Sequence, residues 1–587
     1  MQPIKQDRFD RLRWWYRRNA WLLFAGGMLI GVLMAVWGFN VGKGFYFGAD
    51  TRLQWADAAY YILQMISLNG FGPLNPEIPW QLNVARFWLP AVFFFTALSG
   101  VLRVVGRNGV GLSRYFLDQH IIVCGHGAQA IELVRQYRSR ATPAEVLLVS
   151  SVNEFSGAAD LRSLGAMLHM DDIGTVSSWR TMRAERAKAI YFLEEGEHRN
   201  LNGFEALCRS EAGGRSRSDG KRICKCFIHV GDSALRRWVV ESLENMQQAR
   251  IPHRLQWFVF SAWEQCARDL FLLHGPHLTQ SALGPHAPPS MLILGASPLA
   301  EQLLMQAAKL GHYPGAGKLQ VTLVAPDAAA FEQSLKARFP ALDGRIPERW
   351  DPEERALIPL LDLTCVSAAA EAPPLDLLRV GQREGSPFQV CFVCVDDAHT
   401  AVRAVDMLRA QYRDAGGRQP GLRTVVCLPQ GSGVLERLAH APSNALSAGL
   451  TLFDPLAYSC RMETHESVLV EQSERDAQDI YRFFVNGQAF DWWGLSELER
   501  DSNRQAADHL KVKRHFLAHG DEAQMQAEHT RWCAERLLAG WRFGPVKDQK
   551  KRISPNLRPY EALPSVEQEK NRPIIQYARR PVPARVP

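Results

Sequence analysis

Two long apolar runs near the N-terminus constrain this 587-residue chain more than any other feature. Residues 20–39 carry no charge, and as a helix rising ~1.5 Å per residue they match the roughly 30 Å hydrocarbon layer of a bilayer. Residues 87–102 form the second run, closed by Arg103, whose charge can reach an interface along its apolar stem. A secretory leader is the competing reading of the first run, but GFNVGKGFYF follows it in place of a small-residue cleavage site. Lys5, Arg8, Arg11, Arg13, Arg17 and Arg18 precede the first run against only Asp7 and Asp10; Arg103, Arg107 and Arg114 follow the second. The excess of basic residues places both termini in the cytoplasm of a multi-pass protein of the plasma (bacterial inner) membrane. The expected layout is a basic tail (1–19), a first span (20–41), an extracytoplasmic segment (42–86) and a second span (87–105).

Between the spans, WADAAYYILQM (55–65) has helical spacing and is too short to cross. It leads into SLNGFGP, where Gly70 and Gly72 permit the backbone angles that turn carbonyls toward an axis. A re-entrant segment survives at membrane depth only when it is buried in protein or lines water. The arrangement resembles the two-helix pore of potassium channels, whose filter reads Thr-Val-Gly-Tyr-Gly. The matching positions are Leu68, Asn69, Gly70, Phe71 and Gly72. The resemblance implies a homotetramer in contact with membrane lipid. Leu68 lacks the hydroxyl of the innermost ion site and Pro73 replaces the usual aspartate, so potassium selectivity does not carry over. A surface loop in a non-conducting two-helix anchor is the alternative, and Ser99-Gly100 serves equally as a hinge or as a packing contact.

The chain as a whole has a globular composition, 47% hydrophobic and 22% charged, with a net charge of +7. Much of that charge lies in the N-terminal flank, which argues against a nucleic-acid partner. Eleven scattered cysteines, several inside apolar strand-like runs, read as buried reduced thiols. Cys391 and Cys394 leave opposite faces of a strand, so their CxxC is not a metal or disulfide site. No metal site is expected.

HIIVC (120–124) runs into Gly125-His126-Gly127-Ala128-Gln129-Ala130 and a helical stretch, which is the strand–turn–helix of a Rossmann phosphate turn. EVLLVSS, MLHMDD, AIYFLEE and CKCFIHV follow at doubly wound spacing. This order resembles the RCK (TrkA-N) domain, with Met170-Asp171 where that family has Gly-Asp and Asn200 after the fourth strand. The resemblance implies nucleotide binding by Gly125, His126, Gly127, Ala130 and Asp171, with a nucleotide or dinucleotide as the ligand. Ser150-Ser151 stand where an acidic residue would hold a ribose diol, so the standard NAD mode is not expected. The first such domain is placed at 119–272 and a Pro/Gly/His-rich linker at 273–290. A second RCK-like domain at 291–470 carries Gly295-Ala296-Ser297-Pro298-Leu299-Ala300, Asp327 and Asp396-Asp397. Ser297 at the middle glycine position marks this one as a degenerate structural copy.

From 475 to 587 the chain presents His529-x-x-Trp532-x-x-Glu535-Arg536, Gly540-Trp541-x-x-Gly544, Lys550-Lys551, Pro555-x-Leu557-x-Pro559-Tyr560 and Glu569-Lys570-x-Arg572. This segment, with Ser502-Asn503-Arg504 before it, resembles the bacterial form of the RyR repeat domain. Trp532, Trp541 and Tyr560 offer stacking faces, and Arg536, Lys550, Lys551 and Arg558 offer phosphate partners. The ligand-site residues expected here are His529, Trp532, Arg536, Trp541, Lys551 and Tyr560, the two tryptophans serving equally as core. No nucleophile elbow, zinc-protease helix, Walker lysine or spaced acid–base pair appears, so an enzyme is not expected.

The fold expected is a membrane protein of two transmembrane helices with a re-entrant pore loop. Two α/β doubly wound Rossmann-like domains and a small, mostly helical RyR-type domain follow. Its expected function is a cation pore gated by a small phosphorylated, nucleotide-derived ligand. The alternatives are a membrane-anchored dinucleotide-dependent oxidoreductase and a non-conducting nucleotide-sensing scaffold.

Overall fold

The computed structural model describes residues 24–41, 55–67, 78–108, 117–140, 143–152, 155–213, 223–247, 251–252, 254–280, 288–343, 360–374, 388–413, 422–427, 450–460, 468–485 and 487–580. The chain divides into two compact units, 1–124 with 137–190 and 125–136 with 191–587.

The first unit opens with an apolar hairpin of three helices: α1 (Phe24–Val41), α2 (Trp55–Ile66) and α3 (Trp80–Asn108). Ala35 and Phe39 of α1, Ala58, Ile62 and Met65 of α2, and Leu82, Ala85 and Leu89 of α3 form one buried cluster. Gly31 and Gly38 let α1 lie close against α3; a Cβ at either would come within 2.6 Å of Leu89 or Leu82. The Trp88 indole donates to Gly27 O across the pair at 2.9 Å. The outward side keeps Leu29, Leu33, Trp37, Leu63, Phe87 and Phe95 more than half exposed. Among the described residues, α1 is the one helix long and apolar enough to cross a membrane. α3 begins earlier than the expected span, just after Pro79, and contains Pro90. The side chains of 98–108, including Ser99, and the filter positions Leu68–Gly72 lie outside the described residues.

Two six-stranded parallel sheets follow. The first is ordered β3-β2-β1-β4-β5-β6 and the second β12-β11-β10-β7-β8-β9. Renumbered from its own start, the second has the same order as the first, the doubly wound arrangement whose strand order reverses between its first and fourth strands. In the first sheet β1 (Ile121–Cys124), β2 (Val146–Ser150) and β3 (Met167–Met170) precede β4 (Ala189–Phe192), β5 (Cys224–His229) and β6 (Leu255–Phe260). The second holds β7 (Ser290–Leu294), β8 (Gln320–Ala325), β9 (Asp362–Ser367), β10 (Val390–Val393), β11 (Arg423–Cys427) and β12 (Leu450–Phe453). β1, β2, β4, β7 and β10 are buried along their whole length, as strands covered on both faces must be. β6 and β9 add to the strands expected from sequence. β9, DLTCVS, is a half-exposed edge and lacks the apolar run that betrays a central strand.

Helix α4 (Ala128–Arg138) follows the first turn, and in the second unit α5 (Ala262–His274) follows β6. The turn after β7 opens α6 (Pro298–Leu310), capped by the Ser297 hydroxyl. Met291 and Ile293 face one core of the second sheet, Leu292 and Leu294 the other. α5 follows the first sheet in sequence, yet its Cys266, Ala267, Leu270 and Phe271 lie in the core built around Met291, Leu303 and Val321.

The same core receives the C-terminal segment. There α7 (Glu497–Lys513) starts at a reciprocal Ser496–Glu499 capping box, and α8 (Asp521–Leu538) supplies Cys533, Ala534, Leu537 and Leu538. Trp541 and Leu557 join them, so one apolar mass serves both modules.

Gly125 and Gly295 take φ of 123° and 104° at equivalent turns. A Cβ at Gly125 would sit 2.4 Å from Leu193 O, and one at Gly295 2.4 Å from Cys394 O. Gly295→Ala should therefore destabilise the protein by about 2–3 kcal/mol, since backbone strain and a backbone clash act together. The urea midpoint of the full chain measures this, and an unchanged midpoint would contradict the close approach.

Candidate functional site

Within the second unit, the segments that follow β1, β4, β7 and β10 open into one cavity of about 490 Å³. Gly127, Ala128 and Gln129 after β1, and Leu193, Glu194 and Glu195 after β4, line one side. Ser297, Pro298 and Leu299 after β7, and Cys394, Val395 and Asp396 after β10, line the other. His229 ends β5 on the wall, and α5 contributes Ala262, Trp263 and Cys266. Ligands of open α/β sheets sit at the carboxyl ends of strands where the order reverses, and here two such places share a chamber.

The wall is acidic. Glu194 is buried, with Arg199 3.9 Å away, while Glu195 and Asp396 are exposed at the mouth. Among the described residues lining the cavity none is Lys or Arg. Burial holds His229 down at about 4, so the ring is neutral near pH 7, and its Nε2 is buried without a hydrogen-bond partner among the described residues. The thiols of Cys394 and Cys427 lie 3.7 Å apart. Cys427 is pushed well above the ordinary thiol range, first by its contact with Cys394 and then by burial, which keeps it unreactive. Cys391 and Cys394 fall in different cores, as the strand period requires.

Of the expected phosphate-turn residues, Gly127 lines the cavity; Gly125 packs on Leu193 O, His126 is half-buried, and Ala130 is fully buried in α4. Asp171 belongs to the first unit, where its carboxylate accepts from Ser178 Oγ (2.6 Å) and Asp172 N (2.9 Å) and lies 3.1 Å from His169 Nε2. Ser150 is buried, its hydroxyl accepting from Val152 N at 3.1 Å.

The C-terminal residues form a ladder. His529 is buried and donates from Nε2 to Arg558 O at 2.7 Å, its pKa lowered by burial. Tyr560 lies 6.1 Å from it on one side and Trp532 5.9 Å on the other. The Arg536 guanidinium sits 5.8 Å from the Trp532 ring and 5.0 Å from the Trp541 ring. Trp541 and Tyr560 are buried and Trp532 half-buried; Lys551 is exposed 3.8 Å from Asp548, away from the ladder. Glu535 Oε1, Arg536 Nε and Trp541 Nε1 are buried with no hydrogen-bond partner among the described residues. The first two stand 3.7 Å apart. They form a loose ion pair, and Trp541 Nε1 is a buried donor beside them.

Buried charges tie the C-terminal module to α5 and α6. Arg268 of α5 holds Asp508 at 2.6 Å, and within the C-terminal segment itself Arg504 holds Glu474 (2.5 Å) and Glu497 (2.7 Å). Burial raises Asp501, but Lys309, Arg504, Arg268 and Arg236 override it and bring the carboxyl to about 2. At the far end of α6, His509 Nε2 donates to His312 O at 3.0 Å and Tyr313 stacks on Phe516 at 5.3 Å. Thus α5 and α6 touch the cavity at their N-termini and the C-terminal module along their lengths. Trp263 and Glu195 escaped the sequence reading, and Glu535 figured there as a motif position without a site role. Laying Glu194-Glu195 against Asp396-Asp397, which follow equivalent strands, is the signal that would have found the shared acidic mouth.

The RyR domain family matches residues 494–580, narrower than the expected 475–587. No curated protein matches. Among solved structures the chain is similar to GsuK bound to ADP, at 13% identity over 75% of this chain and 96% of that one, with a TM-score of 0.33. It is likewise similar to the GsuK channel bound to NAD, at 12% identity over 75% and 82%, with a TM-score of 0.34. Superpositions this loose do not define a common arrangement of the whole chain.

Proposed function

We propose that the chain is a ligand-gated, channel-type membrane protein. In this reading the α1–α2–α3 hairpins of a homotetramer surround a cation path, and a nucleotide-derived ligand binds the RyR-type module. The observation that carries it is the hairpin itself. A 12-residue helix, too short to span, is packed between two long helices, and their outer apolar face is left uncovered. Lipid and further copies of the chain are what would cover that face. Both termini are then cytoplasmic, and Leu68–Gly72, directly after α2, form the constriction without selectivity for potassium.

The ladder of Trp532, Arg536 and Trp541, with the buried Nε1 donor of Trp541, supports the ligand assignment. An aromatic face and a guanidinium together suit a base and a phosphate, a base stack being worth ~1–3 kcal/mol. α5 and α6 give such a ligand a rigid route to the shared cavity. The ligand shifts the gate only through its different affinities for the two states; about 5.5 kcal/mol takes a population from 1:99 to 99:1, which four sites divide among them.

The test is ion flux from liposomes holding the purified full chain, with a panel of nucleotides added on the side of the sheets. Flux should rise with one of them, and Gly70→Val with Gly72→Val should reduce it at least tenfold while ligand binding persists. A monomer in bilayers, or flux indifferent to both glycines, would rule the pore out and leave a sensing scaffold.

A further inference from the structure

We propose that the chamber shared by the two sheets binds a small organic cation, a polyamine-type ligand, and excludes the pyrophosphate that a Rossmann turn ordinarily holds. This goes beyond the function proposed above and stands whether or not the hairpin conducts.

The volume comes first. About 490 Å³ lies inside the range of roughly 300–1,000 Å³ typical of small-molecule sites. Its walls come from both phosphate turns, so an occupant would contact both sheets at once.

Charge then selects the occupant. At the first turn, the space that a side chain on Gly127 would enter ends 3.4 Å away at Glu195 Oε1. A phosphate approaching that glycine would meet a carboxylate. At the second turn Ser297 stands at the equivalent position, its hydroxyl turned to cap Ala300 N, and Asp396 lies on the wall beside it. Among the described residues, neither Glu195 nor Asp396 makes an ion pair. No lining Lys or Arg neutralises them, and His229 is uncharged. Charges ~4 Å apart interact about four times more strongly near a protein surface than in water, so two carboxylates at one mouth disfavour a diphosphate there.

The same features welcome an ammonium group. The two carboxylates at the mouth, Glu195 and Asp396, accept its hydrogen bonds. Trp263, 36% exposed, presents an aromatic ring of the kind that attracts cations. The unpartnered Nε2 of neutral His229 offers one further polar contact. A chain of methylenes between ammonium groups suits the apolar part of the wall, formed by Leu193, Val395, Leu299 and Leu456.

Equilibrium binding of labelled spermidine to the full chain in detergent, at fixed ionic strength, tests the assignment. Saturable micromolar binding at one site per chain is expected, without competition from ADP or NAD. Glu195→Gln with Asp396→Asn should weaken it at least tenfold. Both side chains are exposed and both replacements isosteric, so folding is preserved, and an unchanged thermal midpoint verifies it. Trp263→Leu should weaken binding about threefold with no change of charge. Any of four results would overturn the proposal: no saturable binding, binding indifferent to the double substitution, displacement by ADP or NAD, or equal displacement by an inorganic divalent cation or an uncharged nucleoside. Because the readout is binding, a negative result here leaves the flux experiment untouched, and the reverse holds too.

Discussion

Acidification from pH 7 to pH 5 is expected to remove several kcal/mol of stability, enough to unfold much of the protein. Five of the histidines that burial holds neutral are His120, His229 and His312, at about 4, and His277 and His509, at about 3. Four of them place Nε2 against a backbone carbonyl: His120 on Met182, His277 on Leu272, His312 on Ala308 and His509 on His312. The neutral ring supplies the donor, and in His120 and His277 the other ring nitrogen is buried with no partner among the described residues to receive a second proton. In the unfolded chain each titrates near ~6.5. Between that value and the folded one, the unfolded state binds more protons, so stability rises with pH across the window. The contribution is complete above pH ~6.5 and is lost as the pH falls toward 4. At pH 5 each histidine accounts for roughly 1–2 kcal/mol, and five together rival the 5–15 kcal/mol margin of a typical domain. Carboxylates such as Asp501, at about 2, add their own losses only at lower pH. Thermal unfolding followed by tryptophan fluorescence from pH 7.5 to 4.5 measures this; a midpoint flat down to pH 5 would show that the imidazoles reach solvent.

The second large effect concerns Glu528. Its carboxylate is shared by two buried cations, Lys513 through Nζ and Arg531 through Nε and Nη2 (3.0 and 2.9 Å), while the bare Nδ1 of neutral His509 accepts from the same Lys513 Nζ. Lys513 and Arg531 are almost wholly inaccessible. Burial alone would raise Glu528, yet Arg531 and Lys513 hold it well below the ordinary carboxylate range. Glu528→Gln keeps the shape and removes the charge, leaving two buried cations with only Glu535, 2.9 Å from Arg531, to offset them. Breaking a buried pair from one side typically costs about 3–5 kcal/mol, and that loss is expected here in urea unfolding. Combining it with Lys513→Met should recover a substantial part, because the orphaned charge goes too. A loss below about 1 kcal/mol would mean that water already reaches the cluster.

The two sheets were largely legible in the sequence because buried parallel strands write themselves as uninterrupted apolar runs, as in IIVC, VLLVS, SMLIL and VCFV. The edge strand Asp362–Ser367 escaped because one side meets water and its composition is mixed. Gly125 and Gly295 were readable as turns, but what they turn toward was not. Sequence spacing carries no information about two carboxyl edges meeting, so the one cavity lined by both turns was not legible there. Trp541 and Tyr560 could be read either as ligand faces or as core, and they are buried. Arg536 between the two indoles is what keeps a recognition role open for that corner.

The apolar mass shared by α5, α6 and α8 has a practical corollary for protein engineering. The C-terminal module is not a cartridge to be lifted out and clicked into another host. Excised alone, it would carry away Cys533, Ala534, Leu537, Leu538 and Trp541 as a bare greasy flank and invite clumping. A transplant that keeps its recognition properties has to bring the two supporting helices along, starting at or before Ala262.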